Sequence, residues 1–367
     1  MTGESPTEPF EAISESTLRE RFEQQNYVAD DRLITTVYLA IQLGRPLLVE
    51  GPPGSGKTEL GKVLAEGFET ELIRLQCYEG LTAENALYEW NYTKQLLAVQ
   101  SNEGTVAGGT RADGQVADPD AQAGSGTDLD SAVSDPNGSG SGDGTGNRDQ
   151  HPNASSEDSP RSIFDDEYLL ERPLLRALTA GDDRSPVLLI DEIDRADEAF
   201  EAFLLELLSD YQVSIPELGV VSADNPPVVV LTSNRTRGLS DALKRRCLYL
   251  HVEPPSFETE YEIVSRKVPE LDAAIAAEVC AVVERLREES FLKRPGVAET
   301  LDWARAVATL RADGDGESLS TAEIERTIGC LLKEVEDVSR VDTALLEQLR
   351  DAAATARDRD EPTDTDT

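Results

Sequence analysis

The chain has 367 residues, enough for two packed domains, and its 72 acidic and 34 basic residues give a formal net charge of −38 at pH 7. A surface with this charge repels phosphate backbones, so general binding to nucleic acid is disfavoured. We interpret the charge as a solvated surface that keeps the protein soluble, as in proteins of salt-rich cytoplasm. An acidic docking face for a basic partner is the alternative.

Targeting and redox features are few. The first residues, MTGESPTEPFEA, have neither a basic start nor an apolar stretch, and no apolar run approaches the length that spans a bilayer. The cysteines form no C-x-x-C pair, and with only two histidines a histidine-based metal site is not expected. These features favour a cytoplasmic protein with reduced cysteines and no membrane partner.

The N-terminal part is expected to be flexible over residues 1–24, and an α/β core is expected over residues 25–256. An amphipathic helical pattern comes first, with apolar residues at Leu33, Val37, Leu39 and Ile41. Short apolar runs then alternate with helical patterns up to residue 255. This alternation predicts a parallel sheet covered by helices.

A glycine-rich loop lies between the first predicted strand, residues 46–50, and a predicted helix. Residues 51–58 read GPPGSGKT and fit the pattern G-x-x-x-x-G-K-[ST]. Such a loop gathers backbone N–H groups around a phosphate chain, with Lys57 on the β/γ-phosphates and Thr58 on Mg²⁺. The sequence therefore predicts binding of a nucleoside triphosphate. The expected contacts are Gly51, Pro52, Pro53, Gly54, Ser55, Gly56, Lys57, Thr58 and Glu59.

Residues 101–160 differ in composition from the rest of the core. They contain 11 of the 26 glycines, 11 acidic residues and two basic ones, and Leu129 is their only large aliphatic residue besides three valines. Such a segment buries too little apolar surface to offset its ordering entropy. We expect a disordered insertion, either an inert surface loop or a tethered regulatory segment.

A second acidic motif follows the insertion, where the apolar run 187–190 ends in Asp191-Glu192. A buried strand with this ending places both carboxylates at the sheet edge that also carries the phosphate loop. Asp191 can hold Mg²⁺, and Glu192 can accept a proton from an attacking water.

Three further patterns complete the predicted core. Residues 213–221 are typical of a β-hairpin with Gly219 near its turn, and the strand at 228–231 ends in Thr-Ser-Asn. Asn234 is then well placed to orient a water, a turn-capping role being the alternative. Arg245 and Arg246 lie on or just after a short predicted helix. Such arginines stabilise transition-state charge in a neighbour's site, and the alternative is surface pairing with acidic residues.

The C-terminal part has no strand pattern from Phe257 onward. Alanine, leucine, valine and glutamate at helical spacing predict a small helical domain over residues 257–350, with Trp303 in its core. The remaining residues, 351–367, are expected to form a disordered acidic tail.

The order of these motifs resembles that of AAA+ ATPases. Four segments are similar, more narrowly, to the MoxR group and its CoxD-like branch: LQCYEGL at 75–81, YEWNY at 88–92, VSIPEL at 213–218 and TSNRTR at 232–237. The resemblance covers roughly residues 25–335 and breaks only at the insertion. The acidic composition is similar to that of proteins from halophilic archaea.

The resemblance implies the fold, the cofactors and the roles. It implies an AAA+ P-loop NTPase core with a helical lid, ATP and Mg²⁺ as cofactors, Asp191 on the magnesium and Glu192 as catalytic base. Asn234 becomes the first sensor, and Arg246, with Arg245 as second choice, becomes the finger that acts in trans. The resemblance also implies a homo-hexameric ring, a partner with a von Willebrand factor A domain and a client protein such as a maturing metalloenzyme.

The second sensor departs from the family pattern, because Ala298 stands where many relatives have an arginine. Arg294 is our first choice for this role, with Arg305, or no sensor at all, as the alternatives.

Four functions remain open on the sequence. The first is a chaperone-like ATPase that remodels a client. The second is an AAA+ nucleic-acid motor, which the charge disfavours. A nucleotide-gated scaffold without hydrolysis is the third, and intact Glu192, Asn234 and Arg246 argue against it. A small-molecule kinase is the fourth. Such a kinase would not need the Thr-Ser-Asn strand, the paired arginines and the lid together.

Overall fold

The computed structural model describes residues 13–94, 96, 168–180, 184–216, 219–311 and 318–360, with side chains up to residue 357. Contacts divide the chain into one compact unit of Met1–Trp90 with Leu169–Thr367 and a second unit of Asn91–Tyr168. The second unit is described only at residues 91–94, 96 and 168. The predicted insertion at 101–160 lies outside the described residues.

The described strands form three sheets. In chain order they are β1 Leu47–Glu50, β2 Leu72–Gln76, β3 Tyr88–Trp90, β4 Leu169–Glu171, β5 Val187–Asp191, β6 Gln212–Ile215, β7 Gly219–Ser222, β8 Val228–Ser233 and β9 Leu248–His251. The main sheet is parallel throughout, in the order β2-β5-β8-β1-β9. Strands β3 and β4 pair antiparallel, as do β6 and β7, which confirms the predicted hairpin.

The described helices cover the sheet, and the described residues from 257 to 360 are helical with no strand among them. The helices are α1 Glu15–Gln24, α2 Asp31–Gln42, α3 Lys57–Gly67, α4 Ala83–Leu87, α5 Pro173–Thr179, α6 Glu198–Asp210, α7 Asp241–Arg246, α8 Phe257–Lys267, α9 Ala273–Glu288, α10 Val297–Arg311, α11 Thr321–Thr327, α12 Val335–Ser339 and α13 Thr343–Asp360. Short 3₁₀ helices lie at Ile193–Arg195 and Ile328–Cys330. Among the described residues, no helix is both long enough and apolar enough to cross a membrane.

The central strands have apolar side chains on both faces of the sheet. In β5, Val187 and Leu189 pack in one hydrophobic cluster, whereas Leu188 and Ile190 pack in another on the opposite face. A parallel sheet buried on both faces requires such a continuous apolar run. The alternation of strands and helices predicted from the sequence is therefore confirmed.

The register places the ends of the central strands side by side. Glu50 at the end of β1 pairs with Ser233 of β8, and Gln76 of β2 pairs with Asp191 of β5. Because parallel strands share their carboxyl edge, the loop after β1 and the acidic end of β5 meet there.

The C-terminal helical region, residues 257–360 as far as they are described, has its own hydrophobic cluster. Trp303 is fully buried in it and donates from Nε1 to Thr327 Oγ1 at 2.7 Å. The sequence-based placement of this tryptophan in a helical core is correct.

Three expectations need correction. Residues 15–24 of the segment expected to be flexible form α1, because Ser14 caps it and the buried Leu18 and Phe22 lie one turn apart on its inner face. Residues 351–360 continue α13, because Ala353 and Ala356 are buried. In α2, Leu39 is exposed although the helical pattern counted it among the apolar positions.

Candidate nucleotide-binding and hydrolysis site

The glycine-rich loop connects β1 to α3. Gly56 precedes the helix with φ +85°, a left-handed conformation in which a side chain would be strained. Lys57 Nζ donates to the carbonyl oxygens of Gly51 at 2.9 Å and Pro52 at 2.7 Å, so the ammonium lies beneath the loop. Burial lowers the pKa of Lys57, and the negative charge of Asp191 opposes that shift. The loop therefore has the backbone donors and the cation that a phosphate chain requires.

Asp191 is the most heavily bonded carboxylate at the sheet edge, and only 3% of its surface is exposed. Thr58 Oγ1 donates to its two oxygens at 3.0 and 3.2 Å, and Thr232 Oγ1 donates as well. Arg74 from β2 forms an ion pair with Oδ2 at 2.5 Å. A hydroxyl and a carboxylate held together in this way are the hard oxygen ligands that Mg²⁺ prefers.

Glu192 follows Asp191 directly and lies at the same edge of the sheet. Its backbone has φ +55°, and its amide donates to Thr232 Oγ1 at 3.0 Å. Asn234 Nδ2 is 3.4 Å from Glu192 Oε1, while Gln76 Nε2 and Arg195 donate to Oε2 at 3.1 and 3.0 Å. The sequence-predicted base and sensor are therefore neighbours.

Asp194 fixes the loop that carries Asn234. It is 2% exposed and accepts from the backbone N–H groups of Asn234 at 3.1 Å and Thr236 at 2.8 Å. Thr236 Oγ1 also donates to it, at 2.6 Å. Burial by itself would raise the pKa of Asp194, but the hydrogen bonds from Thr236 and Asn234 outweigh it and lower the pKa. This carboxylate therefore holds the backbone around Asn234.

A cavity of about 920 Å³ opens above this edge. Its walls come from the start of α2 and the residues before it, the loop and α3, the ends of β5, β8 and β9, and helices α8 and α10. Lys57, Thr58, Asp191, Glu192 and Asn234 all line it. A cavity of this volume, partly apolar and with a few converging polar groups, suits a nucleotide.

The predicted second sensor and fingers lie elsewhere. Among the described residues that line the cavity, Arg305 is present and Arg294 is not. Arg294 is exposed on the segment before α10. Arg245 and Arg246 are also outside the cavity lining, on α7. Arg246 donates to Leu205 O and Ser209 Oγ of α6 in its own chain.

Residues 46–117 match the family model of the AAA domain (dynein-related subfamily). The chain has the AAA+ P-loop NTPase fold. With the matched domain, the five-stranded parallel sheet and the site at its edge, this chain is an ATPase whose cofactors are ATP and Mg²⁺.

Solved structures similar to this chain include the RuvB Holliday junction branch migration motor of Thermotoga maritima, at TM-score 0.39 and 16% identity, over 89% of this chain and 72% of that chain. Two single-residue variants of that RuvB each give TM-score 0.41 and 16% identity, over 90% of this chain and 73% of theirs. Similarities at these values say nothing about what this chain acts on. No curated protein sequence matches it.

The site residues fit the nucleotide and its metal ion. Lys57 and the loop amides would hold phosphates, and Thr58 and Asp191 would hold Mg²⁺, which supplies Lewis-acid stabilisation of phosphate charge. Sequence reasoning did not assign Arg74, Gln76 or Asp194. The only available signals were the quoted segment that begins at Leu75 and the third acidic residue of the Asp-Glu-Ile-Asp run.

Proposed function

We propose that this AAA+ ATPase hydrolyses ATP with Glu192 as the base that accepts the proton of the attacking water. The observation that carries the proposal is the 3.4 Å contact between Asn234 Nδ2 and Glu192 Oε1 on the wall of the cavity. An amide beside a carboxylate can bind the same water as the carboxylate and orient it for attack. Pocket residues that merely bound a nucleotide would not need this pair.

The roles of the other residues follow from their contacts. Lys57 exchanges its bonds to the loop carbonyls for bonds to phosphate oxygens, a charge-assisted contact. Thr58 and Asp191 are the metal-side ligands. Arg195 and Gln76 hold the second oxygen of Glu192, which leaves Oε1 on the side of Asn234.

Arg245 and Arg246 support a ring assembly. Both lie on α7 outside the cavity lining of their own chain, so the structure favours action on a neighbouring subunit. A head-to-tail interface repeated with closure makes a ring. We propose a homo-oligomeric ring, and the MoxR resemblance makes six its subunit number.

Coupling to a client protein is the second part of the proposal. The resemblance to the CoxD-like branch suggests maturation of a metalloenzyme, together with a partner that carries a von Willebrand factor A domain. The β6–β7 hairpin supports a client-facing surface, because Val220 is 66% exposed at its described end. The charge of −38 disfavours a nucleic-acid client.

ATP hydrolysis at high potassium chloride tests the first part, with wild type beside Glu192→Gln. We expect turnover in the wild type and a loss of about 10²–10⁴-fold in the variant, which removes general-base catalysis while ATP still binds. Glu198→Gln, an exposed carboxylate at the start of α6, is the matched control and should keep wild-type turnover. Equal turnover in all three proteins would remove Glu192 from the mechanism.

The client part needs a separate readout. With ATP, Glu192→Gln should retain a candidate metalloenzyme on the ring, and wild type should release it with a changed hydrogen-exchange pattern. Sedimentation of the ATP-bound protein gives the subunit number. Turnover stimulated by DNA, and lost with added salt, would instead favour the motor.

A further inference from the structure

The C-terminal helical region contacts the phosphate loop through backbone atoms. Val297 N donates to Gly54 O at 3.0 Å. A Cβ added to Gly296 would lie 2.8 Å from Gly54 Cα, and one added to Gly54 would lie 2.9 Å from Gly296 Cα. Two glycines therefore allow two chain segments to meet without side chains between them.

Carboxylates of the helical region bond to this contact segment, residues 292–297. Asp337 is fully buried and accepts from the backbone N–H groups of Leu292 at 2.8 Å and Lys293 at 3.0 Å. Glu299 Oε2 accepts from Gly296 N at 3.1 Å. The segment is thus held at both ends by carboxylates from its own region.

A buried ion pair holds the middle of the segment. Arg287 Nε donates to Pro295 O at 2.8 Å, while its two terminal nitrogens donate to Glu260 at 2.6 and 2.7 Å. Thr300 Oγ1 donates to the same carboxylate at 2.7 Å. Glu260 is 1% exposed, so salt screens this ion pair only weakly.

The bond from Val297 orients a peptide of the phosphate loop. In a trans peptide the carbonyl and the next N–H point in opposite directions. Holding Gly54 O toward the helical region therefore turns the Ser55 N–H away from that region. Gly54 has φ +79°, so this peptide would otherwise have unusual conformational freedom.

We propose that the contact segment positions the phosphate loop, with Gly296 and Val297 setting the orientation of the Gly54–Ser55 peptide before ATP binds. Gly296, Val297 and Glu299 are positioning residues in this view. The role fits a chain in which residue 298 is alanine and Arg294 is not among the described residues that line the cavity. The inference rests on the proposed function, since it assigns the segment to the ATP site.

Gly296→Ala is the direct test, because its Cβ must push the two backbones apart. Gly329→Ala is the matched control: it lies in the same helical region, and a Cβ there meets no atom within 4 Å. Hydrogen exchange of the nucleotide-free proteins is measured first. We expect faster exchange of the amides of residues 54–57 in Gly296→Ala only, with an unfolding midpoint equal to that of the control.

ATP affinity is the second readout. The loss of about one hydrogen bond predicts a three- to tenfold rise in Kd for Gly296→Ala. Glu299→Ala should show the same faster loop exchange and the same rise in Kd. Glu299→Gln should behave like the wild type, since its amide oxygen still accepts from Gly296 N. If Gly296→Ala does not fold, the Glu299 pair decides the question.

The outcomes separate the two proposals. The positioning role would be overturned if Gly296→Ala, Gly329→Ala and wild type had the same hydrogen exchange in the phosphate loop and the same ATP affinity. The proposed ATPase activity would be unaffected by that result. A wild type that does not bind ATP would overturn the proposed function, whereas a change in loop exchange confined to Gly296→Ala would still support the contact.

Discussion

Thr58 Oγ1 lies 3.0 Å from Asp191 Oδ1, although 133 positions separate the two residues in the chain. One residue begins the helix after the phosphate loop and the other ends a buried strand. Because β8 alone lies between β1 and β5 in the sheet, the loop after β1 reaches across to the end of β5. This contact converts two separate sequence motifs into one site for phosphate and metal.

Replacement of Lys57 should remove ATP binding. Lys57→Ala leaves the phosphate charge without its nearest cation, and the loss of a charged hydrogen bond worth about 3 kcal/mol predicts a drop in affinity of roughly 100-fold or more. Lys333→Ala removes the same charge from an exposed position and is the control. Titration with a fluorescent ATP analogue measures the affinity of both variants. Equal affinities would contradict the assignment of residues 51–58 as the phosphate-binding loop.

The trans action of the arginines can be tested by mixing subunits. Arg246→Ala should bind ATP yet lose about 10³-fold or more in turnover, and it should also lose its contacts to α6. In rings mixed equally with Glu192→Gln, about a quarter of the sites join an intact Glu192 to an intact neighbouring arginine, so turnover should return.

No recovery on mixing would show that Arg246 acts within its own chain. Arg245→Ala is the companion variant, because Arg245 is exposed and its side chain forms no hydrogen bond or ion pair with the described residues. If Arg245→Ala alone loses turnover and is complemented, Arg245 is the finger and Arg246 is a packing residue of α6 and α7.

The sequence predicts those parts of the site that are motifs of fixed local spacing along the chain. The phosphate loop needs six adjacent positions and a lysine, and Asp191-Glu192 needs a buried strand before it. Neither depends on which strands become neighbours, so both could be recognised before any fold was known.

Arg74 and Asp194 could not be found in that way. Arg74 reaches Asp191 because β2 pairs with β5, a contact across 117 positions that no local pattern encodes. The sequence does not distinguish Asp194 from the other 71 acidic residues. Its role is visible only in its hydrogen bonds to Asn234 and Thr236. The N-terminal helix was missed for a related reason: Arg21 donates to Gly67 O and stacks on Phe68, 4.7 Å from its ring centre, so α3 stabilises α1.

Arg74 and a magnesium ion should compete for Asp191. The guanidinium holds Oδ2 at 2.5 Å, so Arg74→Ala should lower the Mg²⁺ concentration for half-maximal turnover by about two- to tenfold. Arg176→Ala, which breaks a pair with Glu71 on the exposed surface, should change nothing. A higher magnesium requirement would mean that Arg74 prepares Asp191 for the metal.

The ion pair between Arg287 and Glu260 should dominate the stability of the C-terminal helical region. Arg287→Met leaves a carboxylate that is 1% exposed without its cation, and breaking such a pair costs about 3–5 kcal/mol of unfolding free energy. Arg350→Met breaks an exposed pair with Asp351 and should cost less than about 1 kcal/mol. Urea unfolding at fixed potassium chloride compares them, and equal losses would contradict the burial argument.

Glu278 should lower the free energy of unfolding as pH rises, whereas a surface carboxylate in an ion pair raises it. Burial raises the pKa of this fully buried carboxyl, and the hydrogen bond from Leu319 N and the charge of Arg357 offset the rise only in part. Because the folded-state pKa lies above the unfolded one, the contribution of Glu278 is fully present below the unfolded pKa of about 4.3 and is lost as pH rises through the folded value.

Glu278→Gln has no proton to lose and still offers an oxygen to Leu319 N. The variant should therefore gain unfolding free energy relative to wild type as pH rises from about 4 toward 8, and the gap should then level off. Glu325→Gln, on an exposed position of α11, is the control and should track the wild type. A gap that shrinks with rising pH would mean that the pair between Arg357 and Glu278 outweighs the cost of burying the charge.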